Sequence, residues 1–238
     1  MPTEGLLYLA SRVKRLDTDG TYYHWYKETL IPSLVDAGKN SGGGSLVFRL
    51  INNDCDSPDK FQDLALLPLD DLDGLNSDVW KRLPLCTSSK QPGSGGTGEF
   101  GEFDLRWYEL IQRFEGQVDR GGGKFIVAAA NTPGVSDAEF DEWYRKQHLD
   151  MLSMMRGYCR STRYKLLPPL NESAKPGVEE VPRYLALHEF STEDFDREQL
   201  RMCAQTEWSK RVVGTYKQMW RDDWRLTSVQ GWDTSRRL

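Results

Sequence analysis

Residues 139–158 read EFDEWYRKQHLDMLSMMRGY. Phe140, Trp143, Tyr144, His148, Met151, Leu152 and Met155 recur at the spacing of one face of a helix. Arg145, Lys146, Asp150 and Arg156 fall largely off that face. A histidine therefore stands among large apolar groups on a face expected to be buried. A buried polar group needs a partner or a purpose.

The same arrangement occurs earlier, in TYYHWYKETLIPSLVDAG at residues 21–38. With Trp25-Tyr26 set on Trp143-Tyr144, Tyr22 matches Phe140 and Leu34 matches Leu152. An apolar run of strand length precedes each helix, GLLYLASRV and KFIVAAAN. Each helix is expected to end near a glycine, Gly38 and Gly157. SLVFRLIN and YCRSTRYKLL read as second strands, and FQDLALLPL and PRYLALHEF, which share an LAL core, as third strands. DDLDGLNSDVWKRL and STEDFDREQLRMCAQTEWSKRVVG read as second helices with acidic first turns. FDLRWYELIQRFE and RDDWRLTSVQGW close the halves as fourth strands.

The pattern is β-α-β-β-α-β twice, over residues 1–118 and 119–238. Each half is an α+β, ferredoxin-like unit with two helices on one face of a four-stranded sheet. The other face needs cover, and two halves on one chain can supply it to each other as an intramolecular dimeric α+β barrel. The expected particle is a monomer (a pseudo-dimer) or a weak homodimer. GKNSGGGS, TSSKQPGSGGTGEFG, GQVDRGGG and LNESAKPGVEE read as loops and linkers.

The chain has 238 residues, 38% hydrophobic and 28% charged, with a net charge of −5. That suits a globular protein and argues against nucleic acid as its main partner. No apolar run approaches the ~20 residues of a membrane span, and the N-terminus lacks the layout of a secretory signal. The four cysteines have no CxxC spacing and read as reduced thiols of a cytoplasmic protein. Three scattered histidines offer no metal site by spacing. No phosphate loop, dinucleotide fingerprint or GxSxG elbow is present, so no cofactor is expected.

EFDEWYRKQHLDML, GYCRSTRYKL and YLALHEF together resemble the dimeric α+β barrel superfamily, and more narrowly the tandem EthD-like proteins of filamentous fungi. That family's first helix usually ends in His-Leu-Pro. The second half keeps His148-Leu149 with Asp150 for proline; the first keeps Ile31-Pro32 but has Leu30 for the histidine. The resemblance implies that one half keeps the chemistry and the other is a structural partner. Superfamily members include polyketide cyclases, cofactor-free quinone-forming monooxygenases, lactone isomerases and haem enzymes. The implied function is a cofactor-independent enzyme of fungal secondary metabolism. It would carry out an acid/base cyclisation, dehydration or lyase step on a small polyketide-like or aromatic substrate. The alternatives are a cofactor-free oxygenase on an anthrone-like phenol and a non-catalytic metabolite-binding accessory protein.

His148 and His188 are the candidate acid/base groups, because imidazole exchanges protons near neutrality. Either could instead be a structural histidine with its bonds satisfied. Alternation puts Tyr184, Ala186, His188 and Phe190 on one side of their strand. Trp143 and Tyr144 could stack on an aromatic substrate or be plain core. Asn131, after Ala128-Ala129-Ala130, could hold a carbonyl or phenol in the space those alanines leave, or the alanines could simply pack a helix. Arg163 could pair with a carboxylate or enolate, or lie at the edge as a solvated charge. In the first half Tyr8, His24 and Arg49 could line a second pocket, with His24 expected to be exposed.

Overall fold

The structure is a computed structural model. It describes residues 2–13, 20–41, 46–52, 60–76, 78–81, 83, 101–116, 123–168, 181–231 and 238. It mixes helices with antiparallel strands, the α+β class expected from the sequence. The chain divides into two compact units. One comprises Met1–Leu110, Leu166–Glu180 and Leu226–Leu238, the other Ile111–Lys165 and Val181–Arg225. Cys55 and Cys86, and the four loop segments apart from their ends, lie outside the described residues.

The first unit is built on β1 (Gly5–Val13), β2 (Leu46–Asn52), β3 (Asp63–Leu69) and β4 (Gly101–Glu115). Their antiparallel order is β4-β1-β3-β2. Leu7 stands between Leu67 and Trp107, and Arg49 opposite Ala65. A helical segment follows β1: α1 (Thr21–Trp25), a π-helical turn (Tyr26–Leu30) and α2 (Ile31–Ser41). Its buried stripe, Tyr22, Tyr26, Leu30 and Leu34, packs on Leu7, Leu9, Ala65, Leu67 and Trp107 of the sheet. Alternation along β1 and β3 aims every second side chain at this helix.

The second unit uses β5 (Phe125–Thr132), β6 (Tyr158–Leu166), β7 (Tyr184–Phe190) and β8 (Gln218–Gly231) in the antiparallel order β8-β5-β7-β6. After β5 come α4 (Asp137–Trp143), a π-helical turn (Tyr144–His148) and α5 (Leu149–Ser153). Ser136 caps α4: its Oγ accepts from the Glu139 amide at 3.2 Å. The chain turns from α5 into β6 at Gly157, where φ is +79°. A Cβ there would lie 2.8 Å from Thr192 Cγ2, so glycine is required twice over.

The first helical segment ends at Ser41, near Gly38, which is not among the glycines with positive φ. Two sequence expectations about helices are corrected. DDLDGLNSDVWKRL forms a 3-10 turn (Asp73–Asn76) and the short α3 (Asp78–Lys81) in place of one helix. Asp71 Oδ1 accepts from the Asp73 amide at 3.0 Å, a local turn that competes with helix formation. The last helix is two, α6 (Arg197–Met202) and α7 (Glu207–Val213). A second N-cap divides them, Thr206 Oγ1 accepting from the Ser209 amide at 3.0 Å.

The two units agree in register around one feature. Arg49 faces Ala65 in the first and Arg163 faces Ala186 in the second, each alanine being the centre of an LAL triplet. Each arginine lies over the tyrosine that opens the π turn. Arg49 Cζ is 5.1 Å from the Tyr26 ring centroid and Arg163 Cζ is 3.9 Å from that of Tyr144.

Candidate active site in the second unit

A π turn closes i→i+5 hydrogen bonds and so holds one residue more than an α turn. At 3.6 residues per turn, Trp143 and His148 would point in widely different directions. Across the π turn their rings stack instead, with centroids 4.3 Å apart and planes at 20°. Tyr144 meets the same imidazole edge-on at 5.2 Å. Helix α7 fixes the indole, whose Nε1 donates to Ser209 Oγ at 3.1 Å, while Ser209 Oγ donates to the Cys203 carbonyl at 2.9 Å.

His148 is partly exposed at its edge, but its Nδ1 is buried and makes no hydrogen bond. Burial pushes its pKa down to about 4, against an upward pull from the nearby Cys203 carbonyl. The ring is neutral near pH 7, with an unused lone pair or N–H at Nδ1.

His188 comes from the sheet. Val127 and Ser161 flank it on the neighbouring strands, and its ring centroid lies 6.2 Å from that of His148 at 78°. Ser161 Oγ is 2.7 Å from His188 Nδ1, and the Tyr158 hydroxyl donates to Ser161 Oγ at 2.7 Å. No described protein group hydrogen-bonds the other ring nitrogen, Nε2. Burial lowers the His188 pKa to about 3, helped by His148, Arg221 and Arg163 nearby.

Arg163 is not the solvated edge charge that its place near a strand end allows. It is 2% exposed. Its Nη1 donates to Gln112 Oε1 at 2.5 Å and to Asp141 Oδ1 at 2.8 Å, while its buried Nη2 has no partner. Burial holds its pKa below the usual guanidinium range, against the pull of the Tyr144 ring and Asp141. Asn131 is buried on β5 with its side chain toward the Tyr144 hydroxyl, and its Oδ1 is also unpartnered. Burial raises the Tyr144 pKa against Arg163 and Asn131.

The structure thus brings Asn131, Trp143, Tyr144, His148, Arg163 and His188 into one neighbourhood. Three of its buried polar atoms, His148 Nδ1, Asn131 Oδ1 and Arg163 Nη2, lack partners. Buried polar groups are nearly always satisfied, so such a group marks a place for a ligand or ordered water. Phe140 packs edge-on against Tyr144 and tilted against Tyr184, with ring centroids 5.0 Å apart in each pair. The arrangement suits a flat ligand that carries both accepting and donating oxygens.

Ser161, Tyr158, Gln112 and Asp141 were not among the sequence candidates. Only Ser161 had a usable signal, since it lies two residues from Arg163 and so shares its face of β6. The first-half trio does not assemble. His24 is exposed, and Tyr8 alternates to the face opposite Leu7 and Leu9, against Tyr108. Arg49 is engaged by Asp63 at 3.3 Å. No cluster of three or more potential metal-ligating His, Cys, Asp or Glu side chains occurs among the described residues. Cys159 and Cys203 are buried and form no disulfide. No described helix is long and apolar enough to cross a membrane.

In fold the chain is similar to several solved structures. Over 96% of this chain and 93% of the other, it superposes on a variant of the chlorite dismutase from Candidatus Nitrospira defluvii, with TM-score 0.59 and 8% identity. An anthrone oxidase-like protein matches over 100% and 96%, with TM-score 0.54 and 12% identity. A presumed monooxygenase from Fusobacterium nucleatum subsp. nucleatum matches over 97% and 95%, with TM-score 0.54 and 9% identity. At these identities the likeness is one of fold. No family model matches the chain, and no curated protein matches it in sequence.

Proposed function

We propose that the second unit is the catalytic centre of a cofactor-independent enzyme that moves protons on an enolisable or phenolic, polyketide-like substrate. Cyclisation, dehydration and a related lyase step all begin this way. The observation that carries the reading is the set of unpartnered buried atoms on His148, Arg163 and Asn131 beside the buried His188. A neutral imidazole takes the acidic proton next to a carbonyl. The electron pair moves onto the carbonyl oxygen, where the Arg163 guanidinium stabilises it, and the proton returns to the rearranged product. Asn131 Oδ1 accepts from a hydroxyl of the substrate, and the neighbouring aromatic rings hold its plane. The resemblance to EthD-like proteins supports assigning such a reaction to fungal secondary metabolism.

The likeness to an anthrone oxidase-like protein favours a second reading, a cofactor-free oxygenase. The same deprotonation would yield a phenolate that reacts directly with dioxygen. The deciding experiment incubates the protein with enolisable polyketones and anthrone-like phenols while oxygen uptake and product mass are followed. Product without oxygen uptake supports the first reading, and product with stoichiometric uptake supports the second. Tight binding of these compounds with no conversion of any would replace both by a metabolite-binding role.

A further inference from the structure

We propose that Tyr158 and Ser161 are positioning residues that lock His188 as the Nε2–H tautomer, so that His188 offers the ligand a hydrogen-bond donor and the task of base falls to His148. This rests on the acid/base reading above for its purpose, but not for its geometry.

The argument starts from the two contacts of 2.7 Å that join Tyr158 Oη, Ser161 Oγ and His188 Nδ1. Each hydroxyl has one proton to give. A phenol is the better donor and the poorer acceptor of the two hydroxyls, so Tyr158 gives its proton to Ser161 Oγ. Ser161 then gives its own to the next atom, which is His188 Nδ1. An imidazole nitrogen that accepts is unprotonated, and in a neutral ring the proton must sit on the other nitrogen. Nε2 makes no hydrogen bond to a described protein group and is the atom left for a ligand.

His148 has no such device. Its Nδ1 is unpartnered, and the ring is held by stacking on Trp143, the edge contact with Tyr144 and the nearby Cys203 carbonyl. Because Nδ1 has no acceptor and the nearby Cys203 carbonyl can only accept, we assign the proton to the other ring nitrogen and the lone pair to Nδ1. The two rings are thus set in complementary states, one donor and one acceptor. In the step, His148 Nδ1 takes a proton from carbon. The C–H pair becomes the enolate, whose oxygen accepts from His188 Nε2–H and Arg163 Nη2, and His148 then returns the proton.

The test uses the full-length protein with ¹⁵N-labelled histidine and long-range ¹H–¹⁵N spectra at neutral pH. The His188 ring, assigned by its loss in His188→Gln, should show a protonated Nε2 and an unprotonated Nδ1. Ser161→Ala should move it toward a mixture of tautomers, Ser161→Thr should restore the wild-type pattern, and Tyr158→Phe should weaken the preference. With a compound that the wild type converts, Ser161→Ala should lower kcat roughly 10–100-fold with little change in KM, as when the partner that orients a working histidine is lost. Ser161→Thr should recover most of it. A protonated Nδ1 in the wild type, which needs no variant to fold, would overturn the proposal. So would a folded Ser161→Ala protein with the wild-type pattern. An Nε2–H ring in a protein inert toward every probe sustains the relay and counts against the acid/base reading instead.

Discussion

At the scale of single residues, the two histidines should answer differently to replacement. His148 Nδ1 has no hydrogen bond to lose and a glutamine amide can still donate toward the Cys203 carbonyl, so His148→Gln should leave the melting temperature within a few degrees of wild type. Turnover should still fall by ~10²–10⁴-fold, the usual worth of one positioned acid/base group. Equal losses of stability and activity would remove it from the chemistry. His188→Leu strands the buried Ser161 hydroxyl and should cost about 1–3 kcal/mol, measured by denaturant unfolding. Replacing Ser161 by alanine in the same chain should give part of that back, because a pair removed together leaves less unsatisfied than one partner removed alone. Arg163→Lys is not conservative here. The guanidinium spans Gln112, Asp141 and the Tyr144 face at once, which an ammonium cannot. Calorimetric titration with an anionic hydroxy-aromatic compound should show at least tenfold weaker binding by Arg163→Lys. Unchanged affinity would mean that Nη2 does not face the ligand.

At the scale of elements, Ser136→Ala removes the cap of α4 and should lower stability by about 1 kcal/mol while leaving ligand affinity unchanged. A matching loss of affinity would show that the helix start is coupled to the site. The eight strands were readable in the sequence because period-two alternation and turn residues are local signals. The first helix of each half was readable too, but not its π turn, since a 3.6-residue template has no place for the extra residue. The stacking of Trp143 on His148 depends on that turn and was hidden for the same reason. Breaks in the second helices were written in Asp71, Asp196 and Thr206, whose side chains cap or turn the backbone locally. The candidates Asn131, Trp143, Tyr144, His148 and His188 could be named from residue type and face. The burial of Arg163 could not, because a strand's sequence does not say which neighbours close over it.

At the scale of the whole molecule, acid should reveal two opposed contributions. Each histidine titrates near 6.5 when unfolded but at about 4 (His148) or about 3 (His188) when folded. Below pH 6.5 the unfolded chain takes up protons that the folded one refuses. Stability is therefore fully present above 6.5 and lost as pH falls toward 3–4, by at most ~1.4 kcal/mol per pH unit per histidine. Asp63 has the other sign: burial, against Arg49, raises its pKa from 3.8 to about 6. Its contribution is fully present below 3.8 and lost as pH rises through 6. In urea unfolding between pH 4 and 6.5, His148→Gln should flatten the dependence on pH and Asp63→Asn should steepen it. A slope unmoved by either would show that these groups titrate alike in both states. Light scattering should find a particle near the chain mass of 27.4 kDa. The first unit's counterpart of the site bears on how one arrangement could become the other. Leu30 and Leu67 occupy the places of His148 and His188, and continuing the Phe48–Leu66 register puts Val47 opposite Leu67, where the second unit has Ser161. All three are fully buried hydrocarbon. Any one of them changed alone to its polar counterpart would bury a group with no partner, at about 1–3 kcal/mol. Passage between the apolar and the polar arrangement would therefore require weakened intermediates or several changes at once, so a chain holding either form would tend to keep it.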